Sequence, residues 1–237
     1  MKLPVAMEDS QITPGAAPVS LGGLLAVLVF GAVCLGFHWL GKDGWVPLLD
    51  SANLALHEAG HPLVGMFSAR ATVYGGTLFQ LVFPLAAAWH FRRADNAVGM
   101  AAALVWLGEN LFNIARYMAD ARVQELPLVG SGDHDWTEIF GRWGVLHLDG
   151  RIASLTRGCG FLLMVGVVLW LYRRWRADSR SRFAGATKKS RLATETADTP
   201  PATTDRHDRS PSRDMPRITD DGNGFRAGPG HRSGRRD

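Results

Sequence analysis

The sequence predicts an all-α protein, a polytopic membrane helix bundle of about five helices with a disordered C-terminal tail. Three observations carry that prediction. Uncharged apolar runs recur at the length of a bilayer core; basic and aromatic residues gather at their ends; and the composition changes abruptly near residue 177. The mean hydropathy of −0.01 conceals this change. Of 26 Lys+Arg and 22 Asp+Glu, 13 and 9 fall between Ala177 and Asp237, so the formal charge of +4 belongs entirely to that tail. With only scattered apolar residues, the tail cannot bury enough surface to offset chain entropy. The predicted organisation is an N-terminal segment 1–20, a membrane-embedded domain 21–176 and a basic tail 177–237.

Each span can be justified in order. Met1–Ser20 makes a poor secretory leader, with Lys2 followed by Glu8 and Asp9 and no clear cleavage site after the apolar run, so Leu21–Leu40 reads as a retained span. Val46–Phe67 is apolar but carries Asp50, Asn53, His57, Glu58 and His61; it either crosses fully or dips in and returns. Thr72–Phe91 and Asn96–Ile114 are each long and apolar enough to cross, and Arg92, Arg93 and Asp95 separate them. Ser154–Trp170 is the last span, closed by Tyr172, Arg173, Arg174, Trp175 and Arg176 in the manner of an interfacial anchor. Arg92–Arg93 and Arg173–Arg176 are two spans apart, hence on one face, and the positive-inside bias makes that face cytoplasmic. The N-terminus is outside if the polar helix crosses and inside if it returns. Cys34 and Cys159 lie within apolar helices and read as packing residues, not as a disulfide or metal pair.

The polar helix holds the chemistry. It runs NLALHEAGHPLVG, with His57 and His61 four apart and therefore one turn apart on one face. Two imidazoles so placed can share a tetrahedral Zn²⁺, and Glu58 stands beside them to take a proton from a metal-activated water. Ionisable residues in a membrane segment need partners or a task, and a metal ion supplies both. Small Ala59 and Gly60 leave room for a close neighbour or a substrate, and Gly75–Gly76 reads as a turn before the next apolar run.

His57-Glu58-Ala59-Gly60-His61 in an apolar helix, followed by Gly75–Gly76 and GGTLFQLVFP, resembles the membrane-embedded zinc metallopeptidases of the site-2 protease type. The resemblance covers Asn53–Pro84 and implies zinc held by His57 and His61, with Glu58 as general base and acid in peptide-bond hydrolysis. Those proteases draw a third ligand from an Asn-Pro-Asp-Gly motif, and no such motif occurs in this chain. The combination of GENLFNIARYMADA, HDW and HEAGH is similar to an uncharacterised bacterial membrane-protein family. That similarity implies an integral protein of the bacterial inner (plasma) membrane, and the positive-inside bias makes its tail cytoplasmic.

The third ligand has several candidates. Glu109, Asn113, Arg116, Tyr117 and Asp120 form a polar stripe on an otherwise apolar helix. Glu109 and Asp120 on that stripe offer carboxylates. The segment GSGDHDWTEIFGRWG offers more: Asp135 with Glu138 resembles a capping box that starts a helix at about Trp136. Trp136, Ile139, Phe140 and Trp143 would be its apolar face, either lying on the membrane surface or folded over the site as a lid. His134, on an approach flexed by Gly130 and Gly132, is the preferred third ligand, since zinc takes a third imidazole readily. Asp135 is the alternative, or else, with Asp133, an acceptor for an imidazole N–H.

The functional expectation is a membrane-embedded zinc metalloprotease acting on membrane-associated peptide or protein segments, with Tyr117 or Arg116 as oxyanion donor. Its rivals are a zinc-dependent hydrolase of a lipid or another amide, and a non-catalytic scaffold with a structural metal. The other expected partners are membrane lipids: the basic RRWRADSRSR stretch after the last span can lie on anionic headgroups. Nucleic acid is not expected, because opposing Asp residues dilute the tail's charge and no interleaved aromatics supply base stacking.

Overall fold

The computed structural model describes residues 17–41, 44–127, 129 and 133–197. The chain divides into two compact units, residues 1–192 and 193–237. Of the second unit only 193–197, the end of a long helix, are among the described residues. The rest of the predicted tail, residues 1–16 and the glycines at 130 and 132 lie outside them.

All regular structure among the described residues is helical, with six α-helices and one short 3-10 turn at Leu146–Leu148. About five helices were predicted; the sixth is the short helix between the last two long ones. Among the described residues three helices are long and apolar enough to cross a membrane, as expected of a membrane protein: Leu21–Leu40 (α1), Ala97–Ala119 (α4) and the apolar part of Asp149–Ala197 (α6). Thr72–Arg93 (α3), also predicted to be apolar enough, is not among them, since Tyr74, Gln80, His90, Arg92 and Arg93 dilute its apolar run.

Helix α1 begins where Ser20 Oγ accepts the Gly23 N–H at 3.0 Å, a cap that satisfies one of its free amides. Its buried face, Leu24, Val27, Gly31 and Cys34, repeats at helical spacing and joins the α4 and α6 residues Ala101, Val105, Phe112, Met164 and Leu171 in one core. Cys159, by contrast, faces outward on α6. Helix α4 lies closest to the centre, and small residues let its neighbours approach. A Cβ on Gly160 of α6 would stand only 2.8 Å from the Gly108 carbonyl oxygen, the kind of contact on which membrane helices rely.

Helix α2, Leu49–Gly65, has 17 residues and is not one of the three helices long and apolar enough to cross. Near its start Asn53 meets Trp106, Glu109 and Asn110, halfway along α4. Its later residues meet Tyr117 and Thr72, at the end of α4 and the start of α3. The chain therefore leaves α1 near Phe112, on which His38 stacks at 4.6 Å, re-enters to mid-depth and returns to the same end. Of the two predicted courses, these contacts agree with the one that dips and returns. It puts the start of α1 at the end of the bundle that carries Arg92–Arg93, where Gly23 packs beside Val98.

Gly75 and Gly76 do not form a turn; they lie inside α3. A Cβ on Gly60 would overlap the Gly75 carbonyl oxygen, and one on Gly75 would overlap that of Gly60, so α2 and α3 cross backbone to backbone.

Helix α6 is far longer than the predicted Ser154–Trp170, at 49 residues or about 73 Å. Residues 177–197, assigned from composition to the disordered tail, continue this helix. The first turns of this continuation pack against residues at the start of α1: the Val19 N–H donates to Asp178 Oδ2 at 2.8 Å, and Arg182 donates to the Val19 carbonyl at 2.7 Å.

Candidate metal centre

The site assembles where α2, α3, the end of α4 and the short helix Asp135–Trp143 (α5) meet. Helical spacing brings the His57 and His61 rings within 4.9 Å of each other. Gly76 makes room for the first of them, since a Cβ there would overlap the His57 ring. Each imidazole is held through Nδ1: His57 by Gln80 Oε1 at 3.1 Å, His61 by the Thr72 carbonyl oxygen at 3.0 Å. Both partners accept, so the hydrogen-bond pattern assigns the ring proton to Nδ1 and leaves a lone pair on each Nε2. Those lone pairs face the same atom, Asp135 Oδ2, at 2.9 and 3.3 Å.

Three acceptors therefore converge with no donor among them. The ligand atoms of His57, His61 and Asp135 all lie within 4.8 Å of one another, and two of the three residues are buried. Such a set is repulsive unless a cation, either a proton or a metal ion, sits between its members. The group can hold a metal, and its chemistry, imidazole fixed by an outer acceptor and joined by carboxylate, fits a divalent ion.

The preferred third ligand, His134, is not in this group; its neighbour Asp135 is. Helix α5 starts one residue earlier than predicted, with His134 as its N-cap, and that register points His134 away from α2 toward α4. Its Nδ1 accepts the Thr137 N–H at 3.3 Å. Burial lowers the affinity of His134 for a proton against the opposing pull of Asp120. Glu138 makes no capping box and pairs instead with Arg142.

The other candidates are also engaged elsewhere. Glu109 is buried at mid-bundle, where it accepts from Asn53 Nδ2 at 2.7 Å. Asp120 closes the end of α4 by accepting the Glu125 and Leu126 amides at 2.9 and 3.2 Å.

Glu58, His57, His61 and Asp135 line a cavity of about 1090 Å³. Of the predicted polar stripe, Asn113, Arg116 and Tyr117 reach this cavity. Tyr117 also touches the group directly, its hydroxyl accepting the Asp135 N–H at 3.2 Å. The apolar face of α5, Trp136, Ile139 and Phe140, is buried on α3 and α4, while Trp143 is exposed.

Sequence reasoning missed Gln80. The signal was present, because Gln80 is the one polar residue between Leu78 and Trp89, and a lone amide in such a run needs a buried partner. Thr72 could not have been found, because it acts through its backbone carbonyl. No family model, no curated protein and no solved structure matches the chain.

Proposed function

We propose that the chain is a membrane-embedded zinc metallohydrolase that cleaves peptide bonds of membrane-associated substrates. The observation that carries this reading is the convergence of His57, His61 and Asp135 in a cavity that Glu58 also lines. Two imidazoles and a carboxylate suit zinc and leave a coordination position open. When bound, zinc supplies Lewis acidity toward a carbonyl oxygen and makes water nucleophilic near neutral pH.

The residues of the chain supply the remainder. Gln80 and Thr72 fix the two ring protons on Nδ1 and so keep both Nε2 atoms available. Glu58 takes a proton from the attacking water and returns it to the departing amine. Because the Tyr117 oxygen accepts from Asp135 N–H, its own O–H is free to donate to an oxyanion forming in the cavity. The cavity volume suits several residues of extended chain better than a small metabolite. The positive-inside bias puts Arg92–Arg93 and Arg173–Arg176 at the cytoplasmic face of a bacterial plasma membrane, so the metal centre opens on the opposite face.

The deciding experiment compares wild type with Glu58→Gln, both purified in detergent, for zinc content and for cleavage of a quenched fluorescent peptide library. The variant should keep its zinc and lose at least ~10²-fold in rate, the contribution of one acid–base group. Undiminished cleavage by Glu58→Gln would overturn the mechanism. A zinc-loaded wild type that cleaves neither peptides nor other amides would favour a structural metal in a scaffold protein.

A further inference from the structure

The two imidazoles of the metal group are anchored to α3, but the third ligand is held differently. Asp135 occupies the first turn of a nine-residue helix, too short to be stable in isolation. Among the described residues its carboxylate Oδ2 faces the two imidazoles. Its position must therefore come from whatever fixes the start of α5.

That start is tied to the end of α4. The His134 side chain is completely buried, 0% exposed, with its ring against Tyr117 at a centroid distance of 4.2 Å. Its Nδ1 caps the helix by accepting the Thr137 N–H at 3.3 Å, which leaves its ring proton on Nε2. That atom stands 3.3 Å from Asp120 Oδ2, at ion-pair distance though off the line of a hydrogen bond. Asp120 is itself immobilised by the Glu125 and Leu126 amides. Beside it the Thr137 hydroxyl donates to the Ala121 carbonyl. Both nitrogens of His134 are thus directed at the α4–α5 junction, and neither faces the metal group.

Resting on the metal-ligand reading of His57, His61 and Asp135, we infer that His134 and Asp120 are positioning residues that lock the first turn of α5 onto the end of α4 and so set where the Asp135 carboxylate meets the two imidazoles. His134 has the chemistry of a ligand and the contacts of a latch. An aliphatic residue here would bury as well, yet it would supply neither the cap acceptor nor the approach to Asp120.

The test uses full-length protein in detergent with Co²⁺ as probe, whose visible absorption reports the number and geometry of its ligands. Asp120→Ala and His134→Ala should each weaken Co²⁺ binding by ~10- to 100-fold, the usual effect of losing a partner behind a ligand, and should alter the Co²⁺ spectrum. The double variant should cost little more than the worse single one, because the two act as a unit. His134→Asn keeps a favourable N-cap; it should recover thermal stability toward wild type while the Co²⁺ spectrum stays altered.

Unchanged affinity and spectrum in both alanine variants would overturn the inference. So would a Co²⁺ spectrum restored together with stability in His134→Asn, which would reduce the residue to a helix cap. Loss of binding in His134→Ala as complete as in His57→Ala would make His134 a ligand and overturn it equally. Failure of the underlying reading is separately visible: wild type would bind no Co²⁺, or Asp135→Ala would leave its spectrum untouched, and the inference would fall with it.

Discussion

Asp135 and His134 are adjacent in the chain, yet they serve different elements. Zinc chemistry alone ranks an imidazole as highly as a carboxylate, so the sequence could not separate them. The register of α5 decides, because at a helix start successive side chains diverge and a shift of one residue exchanges the one facing α2 for the one facing α4. Asp135→Ala should accordingly reduce zinc in the purified protein further than His134→Ala does, as read by elemental analysis. Glu109 makes the same point at mid-bundle: a carboxylate on a polar stripe looks like a ligand until Asn53 is seen to donate to it. Asn53 also accepts from Trp106 Nε1 at 2.8 Å. Asn53→Ala strands both partners in the interior and should cost about 1–3 kcal/mol, seen as a lower thermal midpoint in detergent with zinc bound at the start of the scan.

Among the elements, the sequence marked α1, α3 and α4 within a few residues, since long, largely apolar runs of spanning length admit few alternatives. The errors have physical causes. Gly75–Gly76 looks like a turn because paired glycines usually are one; here the same absence of Cβ lets two helices cross in contact. Gly60→Ala should therefore destabilise the protein by about 1–3 kcal/mol and lower zinc affinity, because separating α2 from α3 also draws His57 away from Gln80. A thermal melt and a zinc titration on one sample would check both effects; an unchanged melt would refute the close crossing. The length of α6 was missed for another reason. Averaged over the whole tail the composition reads as unstructured, but 177–197 contain Arg, Lys and Ala and no proline, and the first prolines stand at Pro200 and Pro201. Good helix formers simply continue the helix begun in the span.

For the whole molecule, what composition left open was the course of α2, because crossing and returning place the same apolar residues in a similar environment. Asn53 near the start of α2 meets the midpoint of α4, and His57 at its middle meets the last turn of α4, which favours the returning course. All ends bearing Arg92–Arg93, Asp178 and the start of α1 then gather on one side, and the metal group lies on the other. A membrane-impermeant chelator should strip zinc from intact spheroplasts but not from inverted vesicles, with retained zinc measured after washing. The reverse pattern would invert the orientation proposed for the bundle.

Because α2 turns back, the histidines lie beside the first residue of α3 and the last turn of α4, close to where the bundle ends. A peptide bond opened for attack deep in hydrocarbon must give up its own hydrogen bonds with nothing to replace them, at several kcal/mol for each exposed group. At the rim of the bilayer, water makes those bonds instead. On the reading proposed here, a target need not unwind within lipid, and selection rests on how far its chain extends beyond the membrane surface. The proposed function then predicts a wet scissile bond, in the stem of the substrate and not in its span.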